Sequence, residues 1–306
     1  MFSRAATSLF MCAFVVACQS APKASVPAPR PIAPAPTVAP SNLPAPTPTP
    51  EEPRRVAVIL GPGGAKALAH VGVLKSFQHQ RIPVEKIVGL EWGALIAALY
   101  SDKGQTNDVE WKLYKMEQKG LPRPKGFFSK RLGEDSASIM DEFLQEAFAS
   151  GDISRARVPF TCPSRSIWTG VVAWQSKGSL REAVKHCLPF PPLFKAQGTF
   201  LAGASQALEA IELLRREGFN VIVLVNVLGS AMPVAQDSLL DNLNHVILWQ
   251  EIKRALTEAS RYGVEVVNVD TSAYPMVQFE SKKELIGLGE GAGNAAAQVL
   301  VNKYGF

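Results

Sequence analysis

Two stretches of the chain share one plan: a short β-branched run, a turn carrying glycine, and then apolar residues at helical spacing. Residues 55–60 lead into Gly61-Pro62-Gly63-Gly64, and residues 65–79 follow with apolar side chains three and four apart. Residues 84–90 repeat the strand signal, Gly89-Leu90-Glu91-Trp92-Gly93 supplies the turn, and a helical run opens at Ala94. A strand–turn–helix unit used twice in succession buries its strands best in a parallel sheet with helices laid over it. Further strand signals fall at residues 158–162, 171–174, 221–226 and 264–269, with helical patterns at 108–118, 136–149, 180–187, 206–217 and 240–261. The expected fold class is therefore α/β, a three-layer arrangement whose mostly parallel central sheet is flanked by helices. No internal repeat is present.

The second turn has the form of a G-x-S-x-G nucleophile elbow, in which a serine hydroxyl is held on a tight strand-to-helix turn beside amide donors. Glu91 occupies the serine position. A carboxylate there cannot perform the same acyl chemistry, so the chain reads as a hydrolase scaffold without its reaction.

The amino-terminal region follows different rules. Arg4 precedes an apolar run over residues 5–17, and Val15-Val16-Ala17-Cys18 closes it with small residues before a cysteine. This resembles the lipobox of bacterial lipoproteins, which implies a signal peptide over residues 1–17, acylation of Cys18, attachment to a membrane through it and, with Gln19 following, an outer-membrane lipoprotein facing the periplasm. A plain secretory leader is the alternative. Residues 21–53 hold twelve of the chain's 23 prolines, which excludes helix interior and central strand. Residues 18–53 are expected to form an acylated linker able to reach on the order of 100 Å at about 3.1 Å per residue. The folded domain is expected over residues 54–306. Without residues 1–17 the chain keeps 31 basic and 27 acidic residues, too mild and dispersed a balance to argue for nucleic acid.

Three collinear segments carry a family resemblance. Residues 60–74, with Gly61, Gly63, Gly64 and Lys66, are similar to the glycine-rich oxyanion segment of patatin-like phospholipases. Residues 82–95, with Gly89 and Gly93, resemble that family's approach to its nucleophile. Residues 179–184 and 188–194 resemble the helix and proline turn before its catalytic aspartate. The resemblance implies a serine–aspartate dyad at Glu91 and at Ala202 of Leu201-Ala202-Gly203-Ala204, so both reactive groups are missing. Pro62 removes an amide from the oxyanion loop, Lys66 replaces an arginine and Ala67 a glycine, which predicts an incomplete oxyanion hole. Glu91 has two readings: its carboxylate fills the old oxyanion pocket at a helix N-terminus, pairing with Lys66, or it turns to solvent as an ordinary helix-terminal acid. Trp92 either closes the pocket or adds to the core.

Other candidates are weaker. His70 stands where the family often has a non-catalytic histidine, and His186 beside Cys187 points away from it on a helix. Cys162 and Cys187 form a disulfide only if the fold brings them together, which two cysteines do not reveal. His79 and His245 lack metal-ligand spacing, and residues 61–67 fail both the phosphate-loop and dinucleotide templates. No metal or cofactor is expected. The expected function is a non-catalytic envelope lipoprotein, a pseudoenzyme that binds a lipid or an envelope protein in the remodelled cleft. The alternatives are a weakly active acyl hydrolase using Ser205 or Glu91, and a purely structural protein with a filled cleft.

Overall fold

The computed structural model describes residues 53–118, 132–149, 151–190, 198–229 and 239–306. The leader, Cys18, nearly all of the linker and Pro191 to Phe194 lie outside the described residues, as does the side chain of His245. Seven strands form one sheet: β1 Val56–Leu60, β2 Val84–Gly89, β3 Phe160–Ser166, β4 Val172–Gln175, β5 Phe200–Ala202, β6 Val221–Asn226 and β7 Glu265–Asn268. Their order is β4-β3-β2-β1-β6-β7, and β5 pairs with β3. Neighbours from β3 through β7 along this order are parallel, while β4 and β5 run antiparallel to β3.

Burial explains why β1 and β6 take the centre. Every residue of both strands is buried, as a strand covered on both faces requires. On β1, Val56, Val58 and Leu60 face one core while Ala57 and Ile59 face the other, and the same alternation runs along β6. The first core is covered by helices α1 (Ala69–His79), α2 (Trp92–Lys103), α3 (Thr106–Gln118), α4 (Leu132–Ala147), α5 (Leu180–Cys187) and α8 (Lys282–Tyr304). The second lies under α6 (Ala207–Arg216) and α7 (Leu239–Tyr262). This is the expected three-layer arrangement. Among the described residues both cores are built entirely from residues between Val56 and Phe306.

Three features depart from the sequence reading. Helix α8 was not expected, because glycines at 287, 289, 291 and 293 disfavour a helix. They are tolerated because α8 lies almost against α1: a Cβ on Gly289 would come within 1.8 Å of the Ala69 carbonyl oxygen, and one on Gly293 within 2.8 Å of Val73 Cα. Strand β5, only three residues long, carries no period to read. Strand β3 runs past Pro163, where the sequence reading stopped near Cys162; Pro163 donates no amide, yet its carbonyl accepts from Gly203.

Cys162 of β3 and Cys187 of α5 are joined in a disulfide across 25 positions. Closing a loop of that size restricts the unfolded chain and is worth about 3 kcal/mol in the chain-entropy model. Replacing both cysteines with alanine is expected to lower the denaturant midpoint by a corresponding amount, and reductant should do the same to the parent. A midpoint indifferent to reductant would show that the two thiols are not bridged in solution.

Candidate functional site

Leu60 and Gly89 end their strands side by side, so the two glycine-bearing turns leave the same edge of the sheet. The Gly61 amide donates to the Val225 carbonyl and the Leu90 amide to the Leu60 carbonyl, which pins both turns to the strand ends. Glu91 then adopts φ 53° and ψ −124° as the N-cap of α2. A side chain held there costs on the order of 1–3 kcal/mol, and the conformation persists only because its surroundings enforce it. Part of that enforcement is steric. A Cβ on Gly89 would lie 2.3 Å from Ala94 Cα, and one on Gly93 would lie 2.4 Å from the Leu60 carbonyl oxygen. The geometry is that of a tight strand-to-helix elbow with Glu91 at its centre.

The Glu91 side chain is fully buried, which excludes the solvent-facing reading. Its Oε2 accepts hydrogen bonds from the amides of Gly63 at 2.9 Å and Gly64 at 3.0 Å. Two loop amides thus converge on one oxygen, as they would on the oxyanion of an acyl intermediate. Pro62 contributes no donor, and the Gly63 and Gly64 amides both point at this oxygen. Gly64 meets the demand with φ +56°, where a side chain would also strike the Met276 carbonyl oxygen at 2.3 Å. Glu91 Oε1 has no hydrogen-bond partner among the described residues. Burial dominates the balance and pushes the carboxyl up to about 7, against the opposing pull of the Gly64, Gly63 and Trp92 amides.

Lys66 is fully buried in the short 3-10 helix Gly64–Leu68, but it does not figure among the groups that shift the Glu91 carboxyl. Its charge acts on Asp270, helping the Ser272 hydroxyl and amide hold that carboxyl low. The expected Lys66–Glu91 pairing therefore gives way to amide capping of Glu91. Asp270 belongs to a loop that the sequence did not connect with this site. In that loop the Met276 carbonyl accepts from the Ala65 amide, and the Thr271 hydroxyl donates to the Val227 carbonyl. Contact between segments two hundred positions apart leaves no local sequence signal.

His70 braces the loop from behind, its Nε2 lying 2.8 Å from the Gly61 carbonyl oxygen. Burial lowers its pKa to about 4, while the bond to Gly61 works in the opposite direction. It is a neutral structural group at physiological pH. Trp92 belongs to the core, with its ring centroid 4.5 Å from that of Phe279.

Ala202 lies on β5, which pairs with the outer half of β3 just beyond the part that pairs with β2. Its amide donates to the Pro189 carbonyl, and the buried methyl group offers no base. Gly203 keeps the close approach of the family's aspartate–glycine pair, for a Cβ there would meet Pro163 at 2.7 Å. The Ser205 hydroxyl accepts from the Gln206 amide at 3.3 Å, and Gln206 in turn accepts from Arg165. Gln206, the partner of Ser205, is not a base. Among the described residues no group of histidine, cysteine, aspartate or glutamate is placed to hold a metal ion.

A parallel sheet covered on both faces, with an amide-bearing loop after its first strand and a strained elbow after its second, defines a hydrolase-type α/β scaffold. The family model for patatin-like phospholipases matches residues 58–206, just under half of the chain. It is similar to an NTE family protein of Mycobacterium tuberculosis, 22% identical over 189 residues, which are 60% of this chain and 52% of that one. A segment of 48 residues, 16% of this chain and 3% of the relative, is 48% identical to the lysophospholipase nte1 of Aspergillus fumigatus. The chain thus spans about half the length of the first relative and a small part of the second. Among solved structures, VipD from Legionella pneumophila overlays with a TM-score of 0.44 at 11% identity, covering 80% of this chain and 67% of that one.

Proposed function

We propose that this chain is a non-catalytic member of the patatin-like phospholipase family, an envelope lipoprotein whose Glu91 carboxylate stands where a substrate oxyanion would form. The carrying observation is the pair of hydrogen bonds from Gly63 and Gly64 to Glu91 Oε2. A carboxylate oxygen placed there satisfies the amides that would otherwise stabilise a transition state, and it displaces the nucleophile at the same time. Ala202 supports the reading, since it leaves nothing to deprotonate a hydroxyl. What remains is an apolar scaffold suited to binding a lipid or an envelope protein.

The envelope setting draws support from the Cys162–Cys187 bridge, which persists in oxidising compartments, and from the leader ending at Cys18. No described helix is long and apolar enough to cross a membrane, so on this reading attachment comes from acylation.

A weakly active hydrolase is the second reading, favoured by the Glu91 pKa near neutrality, where a carboxyl can serve as a general base toward water. Hydrolysis of short-chain p-nitrophenyl esters separates the two. The parent and Glu91→Ser are expected to be inactive, the latter because Ala202 supplies no base. Glu91→Ser combined with Ala202→Asp should recover slight esterase activity. Parent activity that disappears in Glu91→Ala or Ser205→Ala would establish the hydrolase instead.

A further inference from the structure

The turn between β3 and β4 presents Ile167, Trp168 and Val171 to solvent at 42%, 79% and 63% exposure. These are three large apolar side chains within five residues, and none of Ile167, Trp168, Thr169, Gly170 and Val171 is charged. A solvent-exposed turn normally carries polar side chains and leaves its amides to water. Here five backbone amides are already bonded. Ser166 donates to the Val171 carbonyl, Gly170 to the Ser166 carbonyl and Ile167 to Thr199, while side-chain oxygens of Ser166 and Thr169 take the amides of Thr169 and Val171. From below, the Arg165 guanidinium donates to the Gly170 carbonyl at 2.7 Å.

We infer that this hairpin tip is a docking element that inserts into the interfacial layer of a lipid bilayer. A lipid phase offers few hydrogen-bond partners, so a segment can enter it cheaply only if its backbone is already satisfied, and this tip meets that condition at five amides. Tryptophan favours the boundary between hydrocarbon and headgroups, and Arg165 beneath the tip supplies a positive charge at headgroup level. The rest of the chain points to the same occupant. An apolar run ending in Cys18, joined to the domain by a proline-rich leash with a reach on the order of 100 Å, would hold the domain near a bilayer.

Orientation adds a functional consequence. Strand β3 runs parallel to β2, so its carboxyl end leaves the same edge of the sheet as the Glu91 turn, and Ser164 on β3 is paired with Ala202. A domain docked through Trp168 would turn that edge, and the remodelled site with it, toward the lipid. The inference draws on the lipoprotein reading only for the nearness of a membrane. Docking itself is measured without turnover, so its failure would leave the inert-site reading untouched, and recovered esterase activity would leave docking untouched.

The test uses residues 53–306, which contain both cores and no leader or acyl chain, with vesicles of phosphatidylethanolamine and phosphatidylglycerol. The parent is expected to co-sediment with vesicles and to show a blue shift of tryptophan emission. Trp168→Leu should still sediment but lose most of the shift. Joint replacement of Ile167, Trp168 and Val171 by serine should lower partitioning by roughly tenfold or more, given the apolar area removed, while the melting temperature stays unchanged. A parent that does not bind, or a triple variant that binds equally well, would overturn the inference.

Discussion

Replacing Glu91 with glutamine should make the stability of the protein depend more steeply on pH than that of the parent. The cause is a pair of buried groups with opposite linkage. Glu91 has its folded pKa raised to about 7, so the folded state holds this proton more tightly than the unfolded chain. Its contribution is fully present below the unfolded carboxyl value near 4.5 and is lost as pH rises to about 7. His70 has its folded pKa lowered to about 4, so the unfolded chain holds that proton more tightly. The resulting penalty is largest in acid and disappears as pH rises through 6.5. Each displacement corresponds to about 3 kcal/mol, and between roughly pH 4.5 and 6.5 the two slopes cancel. The parent is therefore expected to keep across that window only the slope that other groups supply, His186 among them.

Glu91→Gln leaves the His70 slope unopposed, and stability should rise by about 3 kcal/mol between pH 4.5 and 6.5. His70→Gln should do the reverse, losing a similar amount as pH rises toward 7. His186, whose pKa burial also lowers, is common to all three proteins and drops out of the differences. Denaturant midpoints across this range decide the matter. Parallel profiles for the parent and Glu91→Gln would show that the Glu91 carboxyl does not hold its proton in the folded state. The same linkage bears on the proposed function: near neutrality the carboxyl bonded to the Gly63 and Gly64 amides is divided between its charged and neutral forms.

The layers and the order of the elements were legible because β1 and β6 are continuous apolar runs and because each early strand stops at a glycine-bearing turn. The tight turn at residues 89–93 was legible for a related reason: a strand-to-helix turn of this kind is written locally. The direction of the Glu91 side chain was not. It depends on where the Gly63 and Gly64 amides arrive, 28 and 27 positions away, and on the backbone of a loop near Met276. Helix α8 was hidden for the opposite reason, since its glycines carry a local penalty that is repaid only by close packing on α1. The Cys162–Cys187 bridge likewise needed β3 and α5 to be placed before its span was known.

A second large effect is expected at Gly93, and it bears on how the surviving elbow should be interpreted. In Gly93→Ala the added carbon would lie 2.4 Å from the Leu60 oxygen, 2.6 Å from the Gly61 oxygen and 2.9 Å from the Leu60 carbonyl carbon. All three are backbone atoms at the end of the central strand, where no side chain can rotate aside. Relief would require α2 to lift from β1, at an expected cost of roughly 3 kcal/mol or more and a fall in melting temperature on the order of 10 °C. Gly291→Ala in α8, where a Cβ would meet nothing within 4 Å, should instead be neutral or stabilising by up to about 1 kcal/mol, because alanine favours helix. If Gly93→Ala melts with the parent, the close approach of α2 to β1 is wrong and so is the placement of Glu91. If it melts as expected, packing requires Gly93, and the turn holds its geometry with Glu91 at its centre. A glycine of this kind then testifies to the fold, while Glu91 and Ala202 bear on the chemistry.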